Sequence, residues 1–203
     1  MKKLLLTGLL SLAMATAAHA MSFGYASTVG SSIVFDGASH FTFGPAVNNF
    51  QVGSGTAAGL FGEITGSFTI GTVVSASAPV TGTGTFVIHD GANTLTATLV
   101  WQNIAQLGTL DGLNTVGSAN LTAITYGGSN ADLLKLKNSI TGLNTLSFQF
   151  GSATTVNTLK TTSTSTTFSG TVATPDGGTT VVLLGFALAG MGTLRRTIKG
   201  FRA

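Results

Sequence analysis

The chain has 203 residues, of which only 7% are charged, 28 are glycine and none is cysteine. That length holds one domain with terminal segments to spare, and the missing cysteines exclude disulfides and thiolate metal sites as its supports. The formal charge of +3 sits at the ends, on Lys2, Lys3, Arg195, Arg196, Lys199 and Arg202, whereas Met21 to Gly170 holds three cations against five acids, a net of −2, which excludes an electrostatic footprint for nucleic acid.

In chain order, Met1-Lys2-Lys3 is a positive n-region, Leu4 to Ala15 an apolar h-region and Ala18-His19-Ala20 a small-x-small site. Together they predict a signal peptide over 1–20, cut by signal peptidase before Met21, in preference to a permanent N-terminal helix. His19 leaves with it.

From Ser22 to about Gly151 short β-like runs are divided by Gly, Asn, Asp or Pro. Ile64, Gly66, Phe68 and Ile70 alternate with Thr65, Ser67 and Thr69; Leu95, Ala97, Leu99 and Trp101 alternate with Thr96, Thr98 and Val100; Leu146, Phe148 and Phe150 form a third such series. Each predicts a strand with one face in a core. Ile33 to Phe35, His40 to Phe43, Phe50 to Val52 and Leu121 to Tyr126 are weaker strands of the same kind. Phe86 to His89, Asp90-Gly91-Ala92-Asn93 and Thr94 to Trp101 predict a hairpin, because Asp-Gly tolerates a turn's positive φ.

One helix is predicted, capped by Asn130, with Asp132 in its first turn, a stripe of Leu133, Leu136 and Ile140, and Gly142 ending it. The expected fold is therefore an all-β antiparallel sandwich or jelly roll over 21–160, with a last strand reaching 172 as an option. Residues 161–173, opening on the hydroxyl tract Thr161 to Thr167, read as a linker or stalk in preference to an edge strand, although Phe168 and Val172 can supply a strand after it. Their composition suits O-glycosylation.

The candidate chemistry is sparse. His40 and His89 remain after cleavage, each beside a polar neighbour (Ser39, Asp90), but adjacent side chains on a strand point to opposite faces, so neither pair is a preassembled catalytic unit. No catalytic residue is predicted, and Glu63 with an Asp has no supporting spacing as a glycosidase pair. Asp36-Gly37, Asp90-Gly91 and Asp111-Gly112 read as turns, because calcium wants six to eight oxygens from a denser loop; no metal and no cofactor are expected. Gly53-Ser54-Gly55 and Gly82-Thr83-Gly84 lack the Gly-Lys-Ser/Thr of a phosphate loop. Trp101 and Tyr126 can stack on a sugar where exposed, though Trp101 shares an apolar face with Leu95 and Leu99 and reads first as core. Asn120-Leu121-Thr122 fits a glycosylation sequon inside a predicted strand.

The last segment, 174–203, has three parts: Thr174-Pro175-Asp176-Gly177-Gly178-Thr179-Thr180, an apolar run from Val181 to Leu194, and a basic end opened by Arg195-Arg196. Pro175 and the paired glycines predict an extended, accessible stretch. The 14 apolar residues span about 21 Å as a helix against a hydrocarbon core of about 30 Å, which is short for a permanent anchor and suits transient membrane insertion. The positive-inside rule leaves the arginines cytoplasmic and the body outside.

At these residues the chain resembles the PEP-CTERM sorting tails, most closely the variant whose signature reads Val-Pro-Asp-Ser-Gly. Pro175, Asp176 and Gly178 match it, while Thr174 and Gly177 depart from it. The resemblance implies that a membrane transpeptidase, an exosortase, cuts near the motif and passes the body to the cell surface of a Gram-negative bacterium, as a component of its exopolysaccharide or biofilm matrix. A plain, unprocessed C-terminal anchor is the alternative reading of the tail. For the body the alternatives are a carbohydrate-binding or carbohydrate-active domain using Trp101, Tyr126 and an acid, and self-association through uncharged sheet edges.

Overall fold

The computed structural model describes residues 20–107, 114–151 and 154–174. Residues 1–19 of the predicted signal peptide, the motif from Pro175 onward, the apolar run and the basic end lie outside them. Met21–Pro175 is one compact unit.

Among the described residues twelve strands form, all paired antiparallel: β1 (Ser22–Ser27), β2 (Ser32–Asp36), β3 (His40–Gly44), β4 (Phe50–Val52), β5 (Phe61–Ile70), β6 (Ser77–Thr81), β7 (Thr83–Asp90), β8 (Asn93–Gln106), β9 (Asn114–Thr125), β10 (Gly142–Gln149), β11 (Ser163–Thr166) and β12 (Phe168–Ala173). The expected antiparallel β architecture is the one observed. Its strands join one 12-stranded network whose pairings run β5-β4-β1-β12-β10-β9-β8-β7 and return to β5. Closing the ladder this way removes the edges those eight strands would otherwise present.

The long strand β5 serves two neighbourhoods. Gly62 to Gly66 pairs with β7, and Ser67 to Ile70 pairs with β3 and β6. The change of partner falls at Gly66, whose φ of 131° lies where side chains rarely go. Its partner across the ladder is Gly84; a Cβ on Gly84 would run into the Thr65 carbonyl, so this crossing needs glycine on both strands. Beyond it, β11-β2-β3 and the second half of β5 form a second layer.

Phenylalanines hold the layers together. Phe35 lies 6.1 Å from Phe148, Phe41 lies 4.9 Å edge-on from Trp101, and Phe43 lies 5.0 Å from Phe168. Tyr25, Phe50 and Phe86 fill the space inside the ring, the last two stacked at 5.1 Å. Offset and edge-on ring pairs of this kind add to the area they bury.

The hairpin forms as expected, with β7 and β8 joined by Gly91 and Ala92 and Asp90 opposite Asn93. The predicted helix is α1 (Ala131–Asn138), capped by the Asn130 side chain, with Leu133 and Leu136 buried. It ends before Ile140, which is 93% exposed and so stands outside the stripe assigned to it. A second helix, α2 (Val156–Thr161), was not expected; Thr155 caps it by accepting from Thr158 N–H, and Val156 and Leu159 are buried.

The hydroxyl tract corrects the linker expectation. Ser163 to Thr166 pairs with Asp36 to Ile33 as β11, and β12 lies between β1 and β10. Backbone pairing asks nothing of the side chains, so a tract without apolar residues still serves as the outermost strand.

Candidate functional site

Three polar clusters sit on this scaffold. In the β2–β3 turn Asp36 Oδ1 accepts from the backbone N–H groups of Ala38 (2.7 Å) and His40 (3.0 Å), and Oδ2 lies 3.2 Å from His40 Nδ1. Those backbone bonds, Ala38's first, hold the Asp36 carboxyl below its ordinary value. A group whose folded pKa is lowered contributes fully above the unfolded value and loses its contribution as pH falls through the folded one. An NMR titration of the Asp36 carboxyl is therefore expected to give a midpoint below the ordinary 3.8, with the Ala38 amide shift following the same curve; a midpoint at or above that value overturns the capping role. Ser39 turns the chain at φ 72°, and His40 is spent on the turn.

The second cluster docks the start of α1. Asp132, buried, accepts from Thr56 N–H (2.5 Å); the Thr56 hydroxyl accepts from Asp132 N–H (3.0 Å) and donates to Asn130 Oδ1 (3.0 Å); Asn130 Nδ2 returns a bond to the Thr56 carbonyl (2.9 Å). Tyr126 joins from just past the end of β9, donating its hydroxyl to Asp90 and accepting from Asn130 N–H. Burial, then the Asp90 bond, raises its pKa. The tyrosine offered as a sugar platform is thus buried and hydrogen-bonded at both sides of its hydroxyl. Trp101 is 2% exposed and packs on Phe41 and Phe68. Neither ring has the open face that stacking on a ligand requires, so both candidates are corrected to structural roles.

The third cluster was not expected. Phe61 is the one aromatic residue left exposed among the described residues, at 44%. It points outward from β5 together with Glu63. Glu63 Oε2 lies 2.8 Å from His89 Nε2 on β7 and accepts from Asn48 N–H at 3.3 Å. Gln51, directly across from Phe61 on β4, is exposed and donates to the Gly59 carbonyl (3.1 Å). The ring lines two grooves, one of about 690 Å³ along Gly24 to Val29 and Gln51 to Ser54, the other of about 440 Å³ along Val47, Asn48, Leu60 and His89. A signal for it was present: counting back from Ile70, Phe68, Gly66 and Ile64 places Gly62 inward, hence Phe61 and Glu63 outward.

Comparison with known proteins bears on the other end of the chain. Residues 175–198 match a family model described as the VPDSG-CTERM motif. The tail is a PEP-CTERM-type sorting tail. No curated protein and no solved structure matches the chain.

The VPDSG-CTERM match takes in Pro175, Asp176, Gly177, Gly178, Arg195 and Arg196 and leaves the body unassigned. Such a tail implies export and sorting to a bacterial cell surface. Thr174, the residue standing where the signature has Val, belongs to the body. Its N–H donates to the Met21 carbonyl (2.9 Å) and its hydroxyl accepts from Met21 N–H (3.0 Å). The family match thus begins at the residue directly after Thr174. Among the described residues no helix is long and apolar enough to cross a membrane; Val181 to Leu194 lies outside them.

Proposed function

We propose that this chain is an exported protein whose VPDSG-CTERM tail is cut by an exosortase, and whose β body is a non-enzymatic component of the surface or extracellular polysaccharide matrix. The observation that carries the reading is the match over residues 175–198, which directly follows a compact body of one unit. The signal-peptide pattern at 1–20 supplies the export step, and the short apolar run of Val181 to Leu194 suits a tail that is held briefly and then removed. A structural role for the body is supported by where its ionisable groups go: Asp36 and His40 shape a turn, and Asp90 and Asp132 dock a helix.

The test is the intact mass of surface-released protein from a wild-type and an exosortase-deficient host. Wild-type protein is expected to lack the tail beyond the motif, Arg195 and Arg196 included, and the deficient host to retain it. Full-length tail on wild-type protein overturns the sorting step.

A further inference from the structure

We propose that the outward face around Phe61 is a saccharide-binding site, with the phenyl ring as stacking platform, Glu63, His89 and Gln51 as its hydrogen-bonding rim, and a neutral polysaccharide as its ligand. The inference rests on the reading of the body as a polysaccharide-associated protein and adds the place and the chemistry.

Four observations carry it. Phe61 is half-exposed while every other aromatic ring named on this scaffold is buried, although a 10-residue strand inside a closed ladder gives no structural reason to place a phenyl ring outside. The ring stands between two grooves of about 690 and 440 Å³, so a chain lying across it has room on both sides. Around the ring are a carboxylate, an imidazole and a carboxamide, planar groups that between them accept and donate to vicinal hydroxyls; apolar ring and convergent polar groups are the usual make-up of a small-ligand site.

The last observation is the charge. The body's described cations are Lys135 and Lys137 on α1 and Lys160 on α2, the last bonded to the Gly71 carbonyl at 2.7 Å; none is among the residues lining the two grooves. The single acid there is already engaged by His89. An anionic polymer finds no counter-charge, and a neutral polyol needs none. The same face continues along β5, where Thr65, Thr85, Thr98 and Thr122 stand in register across β5, β7, β8 and β9. This row of hydroxyls begins four residues, about 13 Å, from Phe61, so a linear polymer running along the strand meets ring, rim and row in turn.

The test uses protein recovered from the host surface, as wild-type, Phe61→Ala and Phe61→Trp, in affinity electrophoresis through gels holding the neutral fraction of the host's own surface polysaccharide, hydroxyethyl cellulose, or alginate as the anionic control. Wild-type is expected to be retarded by the neutral host fraction and not by alginate. Phe61→Ala should weaken that retardation at least tenfold with an unchanged melting temperature. Phe61→Trp should retain it, and its added indole emission should shift to the blue on binding. Unchanged retardation of Phe61→Ala, retardation by alginate alone, or none in any gel overturns the site. So does a change of sedimentation mass in Phe61→Ala, which makes a second copy of this chain the occupant. Fractionation of the intact matrix separates the two claims: if wild-type and Phe61→Ala both co-purify with polysaccharide, the site fails and the matrix reading stands; if wild-type does not co-purify, the matrix reading fails.

Discussion

Replacing Trp101 with alanine is expected to cost about 3–5 kcal/mol of folding stability, a fall of roughly 10 °C in melting temperature for a body of this size. The indole is inserted between the layers, against Phe41, Phe68 and Phe43, and a Cβ on Gly117 would occupy the same space. Its N–H has no hydrogen-bond partner among the described residues, so packing is what it contributes. Trp101→Phe is accordingly expected to lose much less, about 1–2 kcal/mol. Thermal and urea unfolding of both variants checks this. A loss in Trp101→Ala no larger than that of a surface substitution would mean the ring is not the centre of the core.

The second large effect is expected at Asn49, which is fully buried. Its Nδ2 donates to the carbonyls of Pro45 (2.9 Å) and Ile64 (2.8 Å), and its Oδ1 accepts from Ile64 N–H (2.9 Å). The carboxamide imitates a peptide group and prolongs the pairing of β4 with β5 by one residue beyond Phe50. Asn49→Ala leaves those backbone groups buried without it, at about 2–4 kcal/mol. Hydrogen exchange gives the sharper reading: the Ile64 amide should lose protection, while the β7–β8 hairpin amides keep theirs beyond the global change. An Ile64 amide protected as in wild-type would sink this account.

Both sites show what local pattern reveals and what it hides. Trp101 could be assigned to the core from Leu95, Ala97 and Leu99, because strand parity is a local property. Asn49 could not, since Ile64, with which it exchanges two of its bonds, lies 15 residues away and nothing in a lone Asn announces a buried clasp. The same division runs through the fold. The hairpin and the Asn130 cap depend on four to six consecutive residues and were legible. Closure of the ladder depends on β1 meeting β12, and the bend at Gly66 on what crosses it, so neither was.

Ser163 to Thr166 misled because apolar alternation was the criterion, whereas an outer strand is held by backbone bonds. Helix α2 is six residues long, too short for a period to register. Phe61 is the instructive case: its outward parity is readable, but parity alone does not say whether a neighbouring element covers the ring. The tail was legible because a sorting motif is a contiguous run of residues, so the signal is sequence itself.

The position of β12 also sets an order of events. The last strand of the body is not added at an edge; it fills the gap between β1 and β10, pairing Phe23 with a residue, Val172, that is synthesised about 150 residues later. Contacts of such sequence separation form slowly. Until residue 173 is made, β1 and β10 each lack the strand that lies between them. The ladder can close only when the next residues to be made are those of the matched tail. Completion of the fold therefore waits on the residues that directly precede the matched tail.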